Sequence, residues 1–270
     1  MKYDLLVVDG PYLAHRSMDA PFKLTTSKGL DATMLFVFLR SVKAYKNKTK
    51  ASTVIIAWES PKTHQWRKDE SKTYKQNRGH ISQFFINQAK DLQEALCHLN
   101  AIQYTSPGNE ADDIIANIVH NNAGKNIAIF TKDKDIMQLA SDTCHIFDGK
   151  QYFSNGTVYQ KYQLLPSQLI DLFSIMGDKS DNIKGVDGYG IKKATKLLIK
   201  YQTISNIPYE TFTDDEWRVI QKNRRLISLN ESCELVQINN RRKSLHDILE
   251  KYELKSIKEK INEYNLGDTT

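Results

Sequence analysis

Cysteine is scarce: Cys97, Cys144 and Cys233 are odd in number, far apart and without a CxxC pair. That excludes a disulfide framework and a zinc knuckle, and it suits a reducing compartment. Long apolar runs are missing too. The longest, Met34 to Leu39, falls far short of the ~20 residues of a membrane helix. The opening MKYDLLVVDG turns acidic after four apolar residues, which is not the form of a secretory signal. No internal repeat or low-complexity tract is present, and no Ser or Cys stands near a His in a nucleophilic pattern. These absences describe a soluble, intracellular protein without membrane partners.

What is present is enough to build a core. Apolar residues make up 40% of the 270, and the net charge is +6 with a pI near 9.0. That surplus is compatible with a polyanionic partner without requiring one. Three short apolar runs, Leu5 to Val8, Thr53 to Trp58 and Asn126 to Phe130, have the form of strands buried on both faces, as a parallel sheet requires. Helical spacing runs over Thr33 to Tyr45, Phe84 to Leu99 and Ala111 to His120. Alternating strands and helices predict an α/β doubly wound sheet. Each run has an acid at or just past its end: Asp9, Glu59 and Asp133. In open α/β sheets the ligand crevice lies outside those ends. After Tyr152 the pattern turns helical, over Pro166 to Met176, Lys192 to Tyr201 and Thr213 to Leu229, with no evident strand. The tail from Ser244 to Asn265 reads either as a docking helix or as partly disordered.

Two segments stand apart. Pro61 to His80 is polar, carries Lys62, Arg67, Lys68, Lys72, Lys75 and Arg78, and interleaves Trp66 and Tyr74. It is either a solvated loop or a basic arch whose aromatics stack on bases. Met176 to Ile191, MGDKSDNIKGVDGYGI, places two chemistries side by side. Asp178 and Asp181 are three apart, so one helical turn would present both carboxylates on one side. Gly185, Gly188 and Gly190 then form a turn ahead of an amphipathic helix opening with Lys192 and Lys193, a cradle for phosphate.

The acids form a set: Asp9, Glu59, Glu110, Asp112, Asp113, Asp133, Asp135, Asp178 and Asp181. Acids in a first helical turn, as at 110–113, are ordinarily explained by the helix dipole, but three in four residues repel and call for a counter-charge. Oxygen-only ligands suit Mg²⁺ or Mn²⁺. So many carboxylates fit two cations ~4 Å apart, as in phosphoryl transfer. Lys75 and Arg78 would steady charge on the scissile phosphate.

In order, VVDG (Asp9), TYKQNR (Lys75, Arg78), NEADD (Glu110, Asp112, Asp113), TKDKD (Asp133, Asp135) and MGDKSDNIKGVDGYGIKKA (Asp178, Asp181) resemble the 5′ nucleases. These are the flap endonucleases and 5′–3′ exonucleases of phages and the front domain of bacterial DNA polymerase I. The match covers roughly residues 4 to 201, and the length resembles a free-standing phage-type enzyme, which would work in the cytoplasm of a bacterial host. The resemblance implies a PIN-like core over residues 1–165 with an arch at about 61–90. It implies a helical region over 166–270 with a helix-three-turn-helix at about 166–201. It further implies a monomer acting on branched or 5′-ended duplex DNA, RNA–DNA primer junctions included, alongside replication proteins.

By position, Asp9, Glu59, Glu110 and Asp112 look like surroundings of one metal. Asp133, Asp135, Asp178, Asp181 and Asp113 look like surroundings of a second. Tyr74 resembles a base-stacking arch aromatic and Arg67 an arch-base arginine on DNA, with Lys72 beside it. The turn Gly185 to Gly190 resembles a phosphate contact that also holds K⁺. One departure is visible: the family has Asp where Glu59 stands, and a longer side chain there shifts one metal or reaches it through water. Two other readings stay open, a non-catalytic binder of branched DNA and a PIN-type ribonuclease.

Overall fold

A computed structural model describes residues 2–60 and 65–267. Residues 61–64, at the root of the expected arch, lie outside the described residues. Five strands run parallel: β1 (Leu5–Asp9), β2 (Thr53–Trp58), β3 (Ile102–Thr105), β4 (Ile127–Phe130) and β5 (Cys144–Phe147). β6 (Tyr152–Phe153) closes one edge and β9 (Val236–Gln237) the other, both antiparallel. β7 (Gly177–Asp178) and β8 (Ile183–Lys184) form a separate hairpin.

The seven-stranded order is β6-β5-β4-β1-β2-β3-β9. From β1 the chain winds one way through β2 and β3, then returns to place β4 on β1's other side. Strand order therefore reverses at β1 and β4, and the crevice beyond their carboxyl ends is where such sheets bind ligands.

Why these runs are strands is plain from their two faces. Leu5 and Val7 point into one layer, packed with Ile114, Leu172 and Ile220. Leu6 and Val8 point into the other, packed with Leu35, Phe38 and Leu96. Burial on both faces is what a continuous apolar run requires. The second layer is built by α1 (Gly10–Met18), α2 (Thr33–Thr49) and α4 (Gln83–His98). The first is built by α5 (Ala111–Asn121), α6 (Asn155–Tyr162), α7 (Leu169–Met176), α8 (Ile191–Tyr201) and α9 (Asp214–Ile227). Between β2 and α4 runs the short α3 (Gln65–Glu70).

Several elements differ from the sequence-based expectation. β3 and β5 were not anticipated; they are four residues each and interrupted by Gln103 and His145. Gln103 is fully buried and satisfied there, its Oε1 accepting from Trp58 Nε1 at 2.9 Å. The region after Tyr152 does contain strands, but of two residues each. The tail docks: α10 (Leu245–Lys251) and α11 (Lys255–Lys258) bury Ile248, Leu249 and Ile257 in the second layer.

Candidate active site

The carboxyl ends of the parallel strands gather four acids from four chain segments. Asp9 ends β1 and caps α1. Its Oδ1 accepts from Tyr12 N at 3.0 Å and its Oδ2 from Thr131 Oγ1 at 2.8 Å. A Cβ on Gly10 would sit 2.7 Å from Ala57 O, so glycine alone lets the helix begin directly at the strand end. Glu59 follows β2, Asp112 lies in the first turn of α5 after β3, and Asp133 follows β4. Asp133 is held by its own N–H on Thr131 Oγ1 (3.1 Å) and by Asp135 N on its Oδ1 (2.9 Å). All four line one open cleft of about 1500 Å³, with Lys75 and Arg78 on its wall.

The electrostatics are those of a site short of positive charge. Burial pushes the Asp9 carboxyl up to about 7, and Asp133 and Glu59 add to it against the two hydrogen bonds. Burial, then Asp133 and Asp9, hold Asp112 well above the usual carboxylate range. Asp133 is likewise raised, first by burial.

A second group adjoins the first. One oxygen each of Asp135, Asp178 and Asp181 lie within 4.8 Å of one another, all three residues buried. Asp135 Oδ1 is buried with no hydrogen-bond partner. Burial, then Asp133 and Asp178, drive that carboxyl far up. Asp178 behaves oppositely: burial raises it, but Lys134 and Ser180 outweigh burial and leave it below the ordinary value. An all-oxygen donor set with an orphaned buried oxygen fits a hard divalent cation.

The expected helical turn joining Asp178 to Asp181 is not how they meet. Asp178 ends β7 and Asp181 sits in the turn to β8, so a hairpin brings them together. That hairpin also accounts for Gly185. Its Cβ would fall 2.2 Å from Met176 backbone atoms, and Gly177 takes φ +76° beside it. Backbone approach by itself requires glycine at 185. Gly188 and Gly190 are exposed with open space around them, and Lys192 and Lys193 stand exposed in the first turn of α8.

The basic segment meets the acids from the other side. Lys75 Nζ lies 2.8 Å from Glu110 Oε2 and 3.5 Å from Asp181 Oδ2, and Arg78 Nη2 lies 2.8 Å from Asp181 Oδ1. Burial disfavours the Lys75 ammonium, but Glu110 and Asp181 outweigh burial and keep it charged. Three expectations are corrected here. Tyr74 is buried, its ring in the core and its hydroxyl 3.2 Å from both Glu110 and Asp181, so it presents no face to a base. Arg67 is only 1% exposed and donates to Asp113 and to the carbonyls of Leu226 and Ser228; it holds the arch root to α9 instead of touching DNA. Asp113 is committed to Arg67 and to the N–H groups of Glu110 and Asn230, which removes it from the metal set. The counter-charge for that run of acids comes from Arg67 and Lys75. Lys72 is exposed.

Two participants were not foreseen: Thr131, which links Asp9 to Asp133, and Lys134, whose Nζ is 2.7 Å from Asp178 Oδ1. The one available signal was position, between a buried strand's end and two aspartates.

Comparison with known proteins agrees with this arrangement. Residues 4–163 match the family model "5′-3′ exonuclease, N-terminal resolvase-like domain", and residues 164–261 match "5′-3′ exonuclease, C-terminal SAM fold". The chain is 35% identical over 206 residues to a 5′-3′ exonuclease of Mycoplasmopsis pulmonis, covering 75% of this chain and 68% of that one. It is 33% identical to the thermostable DNA polymerase I of Thermus aquaticus over 74% of this chain, spanning 24% of that much longer protein. Among solved structures, the T5 D15 protein co-crystallized with metal ions superposes with a TM-score of 0.71 at 20% identity, covering 96% of this chain and 99% of that one. A T5 D15 flap endonuclease in complex with DNA and metal ions gives 0.69 at 21%, over 96% and 98%. Strand-end acids, a basic segment closing over them and two family models that together span residues 4 to 261 lead to one assignment: the chain belongs to the 5′–3′ exonuclease family.

Proposed function

We propose that this chain is a metal-dependent, structure-specific 5′ nuclease that hydrolyses phosphodiesters in branched or 5′-ended duplex DNA. The observation that carries the reading is the cleft where Asp9, Glu59, Asp112 and Asp133 converge opposite Lys75 and Arg78. Asp9, Glu59, Glu110, Asp112 and Asp133 would hold one Mg²⁺ or Mn²⁺, and Asp135, Asp178 and Asp181 the other. Such ions, when bound, lower the pKa of an attacking water and neutralise charge on the leaving oxygen.

The chain's own residues supply the rest. Lys75 and Arg78 exchange their carboxylate partners for the scissile phosphate and orient it toward the acids. Lys192, Lys193 and the first N–H groups of α8 grip duplex phosphates at a distance from the cut, with Gly188 and Gly190 letting the backbone approach. The carbonyls of that glycine turn are the proposed K⁺ site. The division of labour is a core over 1–165 for chemistry and a helical region over 166–270 for duplex binding, in a monomer.

The test is cleavage with Mg²⁺ of three labelled substrates: a 5′ flap, a hairpin and single-stranded RNA. A cut near the flap junction is expected. Cutting of RNA alone would make the protein a ribonuclease, and binding without any cut would make it a structural DNA binder.

A further inference from the structure

Lys134 is a cation bonded to the second acidic group that the proposed reaction leaves without a task. It lies in the chain between Asp133 and Asp135, and its ammonium donates to Asp178 in the hairpin, 2.7 Å from Oδ1. The same oxygen accepts from Ser180 N at 2.9 Å and Ser180 Oγ at 2.6 Å. Three donors on one carboxylate oxygen leave it no further capacity. The Asp178 side chain is 2% exposed while that of Lys134 is 34% exposed, so a part-exposed lysine reaches inward to a buried partner. Its Nζ also lies 5.4 Å from the Phe173 ring centre, which gives the ammonium a second favourable contact on the same side.

We propose that Lys134 is a positioning residue, a built-in counter-ion that holds the Asp178 carboxylate in place while the Asp135–Asp178–Asp181 group lacks a divalent ion, and that sets how weakly this group binds one. This rests on the reading of that group as the second metal site. The physics is competition. An incoming dication meets a ligand already neutralised by an ammonium, so it must either displace Lys134 or tolerate the repulsion. The first group has its own ammonium, Lys75 on Glu110 at 2.8 Å, so the competition at Lys134 concerns the second group alone. Arg78 and Lys75 bring further positive charge to this group through Asp181, whereas Lys134 is the cation bonded to Asp178.

The experiment is Mn²⁺ binding to the full chain, read as free Mn²⁺ by electron paramagnetic resonance, beside melting curves in EDTA. Wild type should show a tighter and a weaker class. Asp178→Asn should remove the weaker class and so identify it. Lys134→Met should tighten the weaker class about tenfold, the scale of one charge-assisted bond, while lowering the melting temperature in EDTA. Lys134→Arg should restore both values. A Lys134→Met protein that melts lower but binds Mn²⁺ unchanged or more weakly would overturn the proposal and leave Lys134 a plain structural ion pair. If wild type shows a single class that Asp178→Asn does not touch, the second-site reading itself fails, which is a different result from two classes of which neither responds to Lys134.

Discussion

Arg67 and Asp113 meet through two bonds, Nη1 to Oδ2 at 2.6 Å and Nη2 to Oδ1 at 2.8 Å, where neither side chain is more than 2% exposed. The same guanidinium donates to Leu226 O and Ser228 O at the end of α9. One residue of α3 therefore ties the arch root to the start of α5 and to the helical region. Arg67→Ala strands a buried carboxylate and two carbonyls, so the expected loss of stability is about 3–5 kcal/mol. Urea unfolding in metal-free buffer measures it. DNA affinity, measured at a temperature where the variant is folded, should hold. Unchanged stability with weakened DNA binding would return Arg67 to the DNA surface.

Asp133→Asn and Asp178→Asn should each slow flap cleavage by at least about a thousandfold, since several kcal/mol of transition-state stabilisation depend on the ions they would hold. DNA affinity should persist or rise, because each change removes a negative charge facing phosphate. Asp133→Asn should also melt no lower than wild type without metal, as it relieves repulsion with Asp112 and Asp9. Normal turnover in either variant would dismiss the two-ion reading.

How far the sequence discloses this site depends on what each residue's neighbours are. Asp9, Glu59 and Asp133 were legible because a strand buried on both faces announces itself as an apolar run, and the acid that ends it must lie at the ligand edge. The β3 strand was not, since its buried Gln103 is satisfied by Trp58 of the neighbouring strand β2, and no local pattern encodes that partner. The same limit hid the fates of Arg67, Tyr74 and Asp113. A basic or aromatic residue in a polar segment reads as exposed, and only the fold shows that α9 and Glu110 take those side chains out of solvent. Asp178 and Asp181 were rightly paired but by the wrong geometry, because a three-residue spacing serves a hairpin turn as well as a helix.

Lys75→Ala should slow cleavage about a hundredfold or more while DNA affinity changes little, the pattern of a cation that acts mainly on charge developing at the phosphate. The Lys75 ammonium sits between Glu110 and Asp181, so single-turnover rates and equilibrium binding must be measured on the same preparation with saturating Mg²⁺. Lost affinity with an unaltered single-turnover rate at saturating enzyme would make Lys75 a phosphate anchor only.

Asp91 of α4 fastens the tail, accepting from Lys243, from Lys251 Nζ at 2.6 Å and from Tyr252 OH at 2.8 Å. Burial raises its carboxyl, but these three donors outweigh burial and hold it below the ordinary value. A carboxyl depressed by folding contributes stability above its unfolded value of about 3.9 and loses it as pH falls through the folded value. The tail contact should therefore be at full strength from neutral pH down to about 5 and weaken below about 4. Asp91→Asn should cost about 1–3 kcal/mol at pH 7, the range for breaking hydrogen bonds to a charged group. It should also flatten the fall in stability between pH 5 and 3. Urea unfolding at pH 7, 5 and 3 compares the two proteins. Parallel curves for wild type and variant would show that the tail is held by Ile248, Leu249 and Ile257 alone, with the charge contributing nothing.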